Sequence, residues 1–200
     1  MKLLLTPSSL RGTVTVPPSK SLLHRELICR FLAGQVTELP PHAAQDVLAT
    51  YRGLACLTAP APLVDCGDSG STLRFLIPIA SLTGQAVSFT GRGRLMERPQ
   101  SVYEELYRAK GLRFEQMPSG LTVEGLLSSG DYTLAGNVSS QFISGLLFAA
   151  PLMESESSIE VLAPYESRSY VDMTVDAMQQ FGVKVASRAR KNGSVMYRVA

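Results

Sequence analysis

Two segments of this 200-residue chain, residues 71–82 and 140–150, are apolar around nearly their whole circumference when wound at 3.6 residues per turn. Helices of that kind have no face for water, so they require material packed on several sides. What surrounds them in the sequence is largely strand-like. That combination favours an inverted α/β layout, with buried helices and sheets on the outside, over the commoner sheet covered by helices. Neither segment spans a membrane: the apolar stretches 73–82 and 142–151 fall well short of the about 20 residues needed, and Arg74 and Pro78 interrupt the first.

The remainder alternates between the two periodicities. Residues 2–6 and 12–16 read as short strands around a Pro-Ser-Ser turn. Residues 19–31 read as a helix stopped at Gly34, with Leu23, Leu27 and Phe31 on its core stripe. A Pro- and Ala-rich stretch, 39–62, holds one short helix at 45–57. Strands are expected at 64–66, 86–90, 114–117, 121–124, 132–134, 158–162, 183–186 and 195–199, and helices at 99–110, with Pro99 in its first turn, and at 169–181. Residues 70–124 and 140–199 repeat the same helix, strand and helix-or-hairpin order, which implies a duplicated β/α unit with little residue identity. With 45% hydrophobic content, the chain makes one domain or slightly more, at about 150 residues per domain.

Charge narrows the function. Nineteen Lys and Arg against 17 Asp and Glu leave a net +2, so no global field points to nucleic acid or an anionic membrane, and any anion site must be local. Three cysteines, Cys29, Cys56 and Cys66, with no CxxC spacing imply free thiols and a reducing, cytoplasmic setting. The start, Met1-Lys2-Leu3-Leu4-Leu5, runs at once into Thr6-Pro7, so no signal peptide is expected. His24 and His42 have no supporting ligand spacing, and no metal site is expected.

Four expected helix starts carry small hydroxyls, glycine and basic groups: Lys20-Ser21 with Arg25, Asp68-Ser69-Gly70-Ser71-Thr72 with Arg74, Ser139-Ser140-Gln141, and Ser167-Arg168-Ser169-Tyr170. Free N–H groups and the positive dipole end favour anions there, hydroxyls donate further bonds, and arginine supplies a fork. Each alone is an ordinary N-cap, and Ser169 with Asp172 even has capping-box spacing. Four together point to anionic ligands. Ser21 and Arg25 share a helix face apart from the core stripe. Arg98 stands where it could reach the same cleft, His24 reads as a packing or surface residue, Asp65 and Asp68 as orienters of arginine, and Glu104 with Arg108 as a surface pair. No Ser-His-Asp set, P-loop or GxGxxG turn is present.

Five motifs lie in one order over residues 17–172: Pro18-Ser19-Lys20-Ser21-x-x-x-Arg25, Asp68-Ser69-Gly70-Ser71-Thr72-x-Arg74, Arg94-x-x-Glu97-Arg98-Pro99, Val138-Ser139-Ser140-Gln141 and Ser167-x-x-Tyr170-x-Asp172. In these the chain resembles the 5-enolpyruvylshikimate-3-phosphate synthase family. The resemblance implies a two-domain enzyme, each domain an inverted, barrel-like arrangement of three βαβαββ units with helix starts facing the inter-domain cleft. It implies enolpyruvyl transfer from phosphoenolpyruvate to the 5-hydroxyl of shikimate 3-phosphate, in chorismate and aromatic amino-acid biosynthesis, without metal or organic cofactor. On the same basis Lys20 would touch both substrates. Ser21, Arg25, Ser139, Ser140, Ser167 and Tyr170 would hold shikimate 3-phosphate, and Gly70, Arg98 and Gln141 would hold phosphoenolpyruvate.

Pro18 stands where the family commonly has Gly, and His24 and Asp68 where it commonly has Asn. The chain is also about half the family's length, and the family's acid–base carboxylates belong to its other domain. The expectation is therefore an N-terminal substrate-binding domain over residues 17–200, inactive alone. Residues 1–16 would be crossover strands belonging to the C-terminal partner domain. Three alternatives remain: the related transferase acting on a UDP-amino sugar, whose reactive loop cysteine has no clear match here; an RNA-end-processing enzyme of similar architecture, which the near-neutral charge disfavours; and a non-catalytic anion-binding module.

Overall fold

An all-apolar helix forces its neighbours outward, and the chain meets this demand twice with the same sequence of elements. The computed structural model describes residues 3–4, 6–7, 9 and 11–200. Among these the order is α1 (Lys20–Leu32), α2 (Gln45–Cys56), β1 (Leu63–Asp65), α3 (Gly70–Ala80), β2 (Gly84–Thr90), α4 (Ser101–Ala109), β3 (Arg113–Met117) and β4 (Gly120–Gly125). There follow β5 (Asp131–Ala135), α5 (Ser140–Ala149), β6 (Ser157–Leu162), α6 (Arg168–Gln180), β7 (Val185–Ala189) and β8 (Val195–Val199). One sheet runs β1-β2-β4-β3 and the other β5-β6-β8-β7. In each the first pair is parallel and the other two antiparallel. Both are thus βαβαββ units, and the repeat starts one strand earlier than the sequence pattern indicated, at Leu63 and Asp131. The sheets are open and separate, so the barrel likeness does not extend to a closed sheet.

The expected inversion is present. Every residue of α5 except Gln141 is buried, as is α3 from Thr72 to Ala80 apart from Arg74. Strands β5 and β6 alternate between buried and less buried positions, one face on the helices and one in water. Helices α1 and α2 stand outside the repeat. They pack on α3 and α6, yet only residues 57–62 separate α2 from β1, so no hairpin follows them.

One seam shows how closely the inner helices meet. Pro78 has no N–H to offer the Arg74 carbonyl four residues back. The Tyr103 hydroxyl of α4 donates to that carbonyl at 2.8 Å and lies 2.9 Å from the Phe142 carbonyl of α5. Gly145 lies against this staple: a Cβ there would overlap both the Tyr103 hydroxyl and the Arg74 carbonyl oxygen. Burial pushes the Tyr103 phenol well above its ordinary range, which keeps it a donor.

Four expectations are corrected. Residues 12–16 form no strand, and Val14 and Val16 are exposed; residues 2–6 fall partly outside the described residues, and 3, 4 and 6 are in no ladder. Helix α4 begins at Ser101, not at Pro99, because the Gln100 carbonyl accepts from the amides of both Tyr103 and Glu104 and so opens the ladder. Strand β7 starts two residues late because the Val183 amide closes the end of α6 on the Met178 carbonyl. Ser167, not Ser169, precedes α6, so the Ser169/Asp172 capping box does not form, and Asp172 instead pairs with Arg168 at 3.6 Å.

Candidate functional site

The first turns of α1, α2, α3, α5 and α6 gather at one end of the molecule. Two clusters of the sequence-selected residues form there.

The first is built on α3 and α5. A Cβ at Gly70 would stand 3.2 Å from Arg98 Nη1, 3.8 Å from Gln141 Oε1 and 4.0 Å from Arg74 Nη1, so only glycine leaves the space before these groups open. Gln141 donates through Nε2 to Ser71 Oγ at 2.8 Å and accepts at Oε1 from Arg74 Nη1 at 2.8 Å. Arg74 also donates to Gln100 Oε1 at 3.3 Å and lies over the Phe142 ring at 4.7 Å. Burial lowers its guanidinium below the ordinary arginine range, with Arg98 nearby acting in the same direction. Ser69 and Ser139 act as caps, their hydroxyl oxygens accepting from the Thr72 and Gln141 amides, which leaves the Ser139 O–H able to donate. Ser140 is buried in the first turn of α5.

The second cluster joins α1 to α6. Arg25 is buried and bonded through all three nitrogens: Nε to Thr174 Oγ1 at 2.8 Å, Nη1 to the Ser21 carbonyl and Nη2 to the Tyr170 carbonyl, both at 2.7 Å. Burial lowers it to about 10, with Tyr170 and Cys29 acting the other way. Arg25 is thus a strut between helix starts, where the sequence alone read it as a ligand fork. Ser167 and Tyr170 are exposed at the start of α6. Ser167 adopts a left-handed φ of 52° and its side chain caps nothing. Lys20 is half-exposed and paired with Asp46 at 2.8 Å.

Sequence reasoning placed Ser71 and Arg74 at an anion-favouring helix start without assigning either a ligand, and gave no role to Gln100, Asp46 or Thr174. Arg74 lay within a selected motif, at i+4 from Gly70, and that spacing was the available signal. Asp46 and Thr174 meet their partners 26 and 149 residues away, which no local pattern encodes. His24 is fully buried, not a surface residue. The Glu104–Arg108 pair forms at 2.9 Å, and Asp65 meets Arg92 at 3.6 Å. Among the described residues no three His, Cys, Asp or Glu gather as a metal site, and no helix is long and apolar enough to cross a membrane.

Comparison with known proteins bears on this arrangement. A family model described as EPSP synthase (3-phosphoshikimate 1-carboxyvinyltransferase) matches residues 42–197. The 3-phosphoshikimate 1-carboxyvinyltransferase of Clostridium kluyveri is 41% identical over 203 residues, an alignment covering 90% of this chain and 48% of the relative. That of Clostridium perfringens is 38% identical over 207 residues, covering 92% and 49%. Among solved structures, EPSP synthase from Acinetobacter baumannii superposes with a TM-score of 0.70 at 23% identity over 92% of this chain and 46% of its own, a likeness of fold. The chain spans about half the length of the curated relatives it matches. A match over more than three quarters of its residues, on the inverted β/α units just described, means that the chain belongs to the EPSP synthase family.

Proposed function

We propose that this chain is the substrate-binding half, over residues 17–200, of an enzyme that moves the enolpyruvyl group of phosphoenolpyruvate onto the 5-hydroxyl of shikimate 3-phosphate in the cytoplasm. The observation that carries the reading is the approach of Arg98, Gln141 and Arg74 to Gly70 at the adjoining starts of α3 and α5. The space in front of Gly70 is bounded by two guanidinium groups, an amide and a helix start, a suitable environment for a phosphate or carboxylate. Gly70, Arg98 and Gln141 hold phosphoenolpyruvate. Lys20, Ser21, Ser139, Ser140, Ser167 and Tyr170 hold shikimate 3-phosphate, with Arg25 fixing the carbonyls of Ser21 and Tyr170.

In the reaction the 5-hydroxyl gives up its proton as its oxygen bonds to C2 of phosphoenolpyruvate, and the methylene carbon gains a proton to become a methyl group. Loss of that proton with departure of phosphate then restores the double bond. Lys20 and the arginines oppose the charge of both substrates. The carboxylates that move protons belong to a second domain, so turnover requires that domain. Against the UDP-amino-sugar reading, Cys29 and Cys66 are buried, burial pushing both thiols up to about 12, and Cys56 closes helix α2 and so stands in no reactive loop.

Calorimetric titration with shikimate 3-phosphate and then phosphoenolpyruvate tests the assignment. Ser139→Ala/Ser140→Ala is expected to weaken the first ligand and Arg98→Ala the second, each by about tenfold or more. Unchanged affinity in both variants would sink it, as would measurable turnover by the 200 residues alone.

A further inference from the structure

We propose that His24 is a positioning residue: through a row of buried hydroxyls it sets the offset between the start of α1, which carries Lys20 and Ser21, and the start of α3, which carries Gly70 and Ser71. The inference rests on the substrate assignment above and adds residues that assignment does not use.

The row crosses three helices. His24 Nδ1, in the second turn of α1, lies 2.8 Å from Thr50 Oγ1 on α2. Thr50 Oγ1 lies 2.7 Å from Thr72 Oγ1 on α3, and Thr72 Oγ1 reaches Ser69 Oγ, the cap of α3, at 2.8 Å. The row also touches the α2 backbone, because Thr72 Oγ1 is 3.1 Å from the carbonyl of Asp46, whose carboxylate holds Lys20. His24, Thr50, Thr72 and Ser69 are each at most 1% exposed, so no water competes for these bonds.

Each hydroxyl has one proton, which makes the row directional. With the imidazole proton on Nδ1, His24 donates to Thr50 and Thr50 to Thr72, and Thr72 shares its one proton between Ser69 Oγ at 2.8 Å and the Asp46 carbonyl at 3.1 Å, so the row runs in one direction from His24 to the cap of α3. This tautomer leaves Nε2 bare, and Nε2 has no partner among the described residues. A side chain kept only for packing would have no reason to carry an unsatisfied nitrogen into the interior. Its other nitrogen heads a chain ending on both substrate-facing helix starts, and that is the work the orphan atom offsets.

The variants are His24→Leu, Thr50→Val, the two combined, and His24→Asn, whose amide places a polar atom where Nδ1 stands. Thr50→Val is close in shape and removes only the hydroxyl that joins His24 to Thr72. Two readouts are taken on the 200-residue chain: hydrogen exchange of the Thr72 amide without ligand, and calorimetric affinity for shikimate 3-phosphate. His24→Leu and Thr50→Val should each speed Thr72 exchange and weaken binding about five- to tenfold. The double variant should be no worse than either single one, and His24→Asn should stay within about twofold of the parent. Additive effects, or a lowered melting temperature with Thr72 exchange and affinity unchanged, would overturn the proposal and leave His24 a packing residue. If the parent chain itself fails to bind shikimate 3-phosphate, the substrate assignment fails, and the ligand-free exchange series still decides whether His24 positions α3.

Discussion

Helices α3 and α5 meet by leaving a side chain out, whereas α1 and α6 meet by putting one in. At the first seam Gly145 lets the Arg74 carbonyl and the Tyr103 hydroxyl come against backbone. At the second, the Arg25 guanidinium fills the gap and binds the Ser21 and Tyr170 carbonyls. Both seams set helix starts side by side at the same end of the molecule. A backbone contact has no rotamers and fixes a spacing outright. A charged strut fixes it only while its desolvation is offset by well-made bonds, and its donors can change partners. On the proposed assignment the α3–α5 seam, offered for phosphoenolpyruvate, is the rigid half of the site and the α1–α6 seam, offered for shikimate 3-phosphate, the adjustable one.

The sharpest way to break this contrast is Gly145→Ala. The added methyl has nowhere to go, and a loss of about 3 kcal/mol is expected in urea unfolding; a loss below that of the arginine variant described next would reverse the ranking of the seams. Acid should expose the α1 side with a comparable effect. Burial holds His24 down at about 4, against about 6.5 in an unfolded chain, so its contribution is whole above pH 6.5 and disappears as the pH falls toward 4, on the order of 3 kcal/mol. His24→Asn should flatten that part of the stability–pH curve, and an unchanged curve would remove His24 as its source. Arg25→Met deletes the strut and takes one donor each from two carbonyls and the Thr174 hydroxyl, for about 2 kcal/mol in the same urea assay. Smallest is the difference between two serines. Ser69→Ala loses a cap and about 1 kcal/mol, while Ser167→Ala, which caps nothing, should leave the melting temperature alone and lower only shikimate 3-phosphate affinity.

Much of this arrangement was legible in the sequence. The all-round apolar character of residues 71–82 and 140–150 was enough to place α3 and α5 inside, because no other environment suits such helices. The duplicated order of elements was visible too, without its leading strands, since three residues such as Leu63–Asp65 are too few to show a period. Hydroxyls at helix starts were found, but which were already engaged was not: Ser69 and Ser139 are caps, Ser167 is free, and the residue type is the same. The Arg25 strut was hidden because its partner lies 149 residues away and a guanidinium reads alike whether it faces ligand or carbonyl. Pro78 offered an unused clue, for a proline inside a helix announces an unpaired carbonyl one turn earlier, and Tyr103 is what answers it.

The Lys20–Asp46 pair has a consequence for how the site fills. The lysine already has a resident counter-ion 2.8 Å away, so on the proposed assignment an arriving phosphate mostly takes part in an exchange and seldom meets a bare cation. A half-exposed pair of this kind is worth up to about 1 kcal/mol, which at that limit leaves the lysine vacant for about a sixth of the time and divides the apparent affinity about sixfold. In return the ammonium is held at the mouth of the site when nothing is bound, and the freed carboxylate is left beside the newly seated anion, ready to reclaim the lysine and hasten its departure.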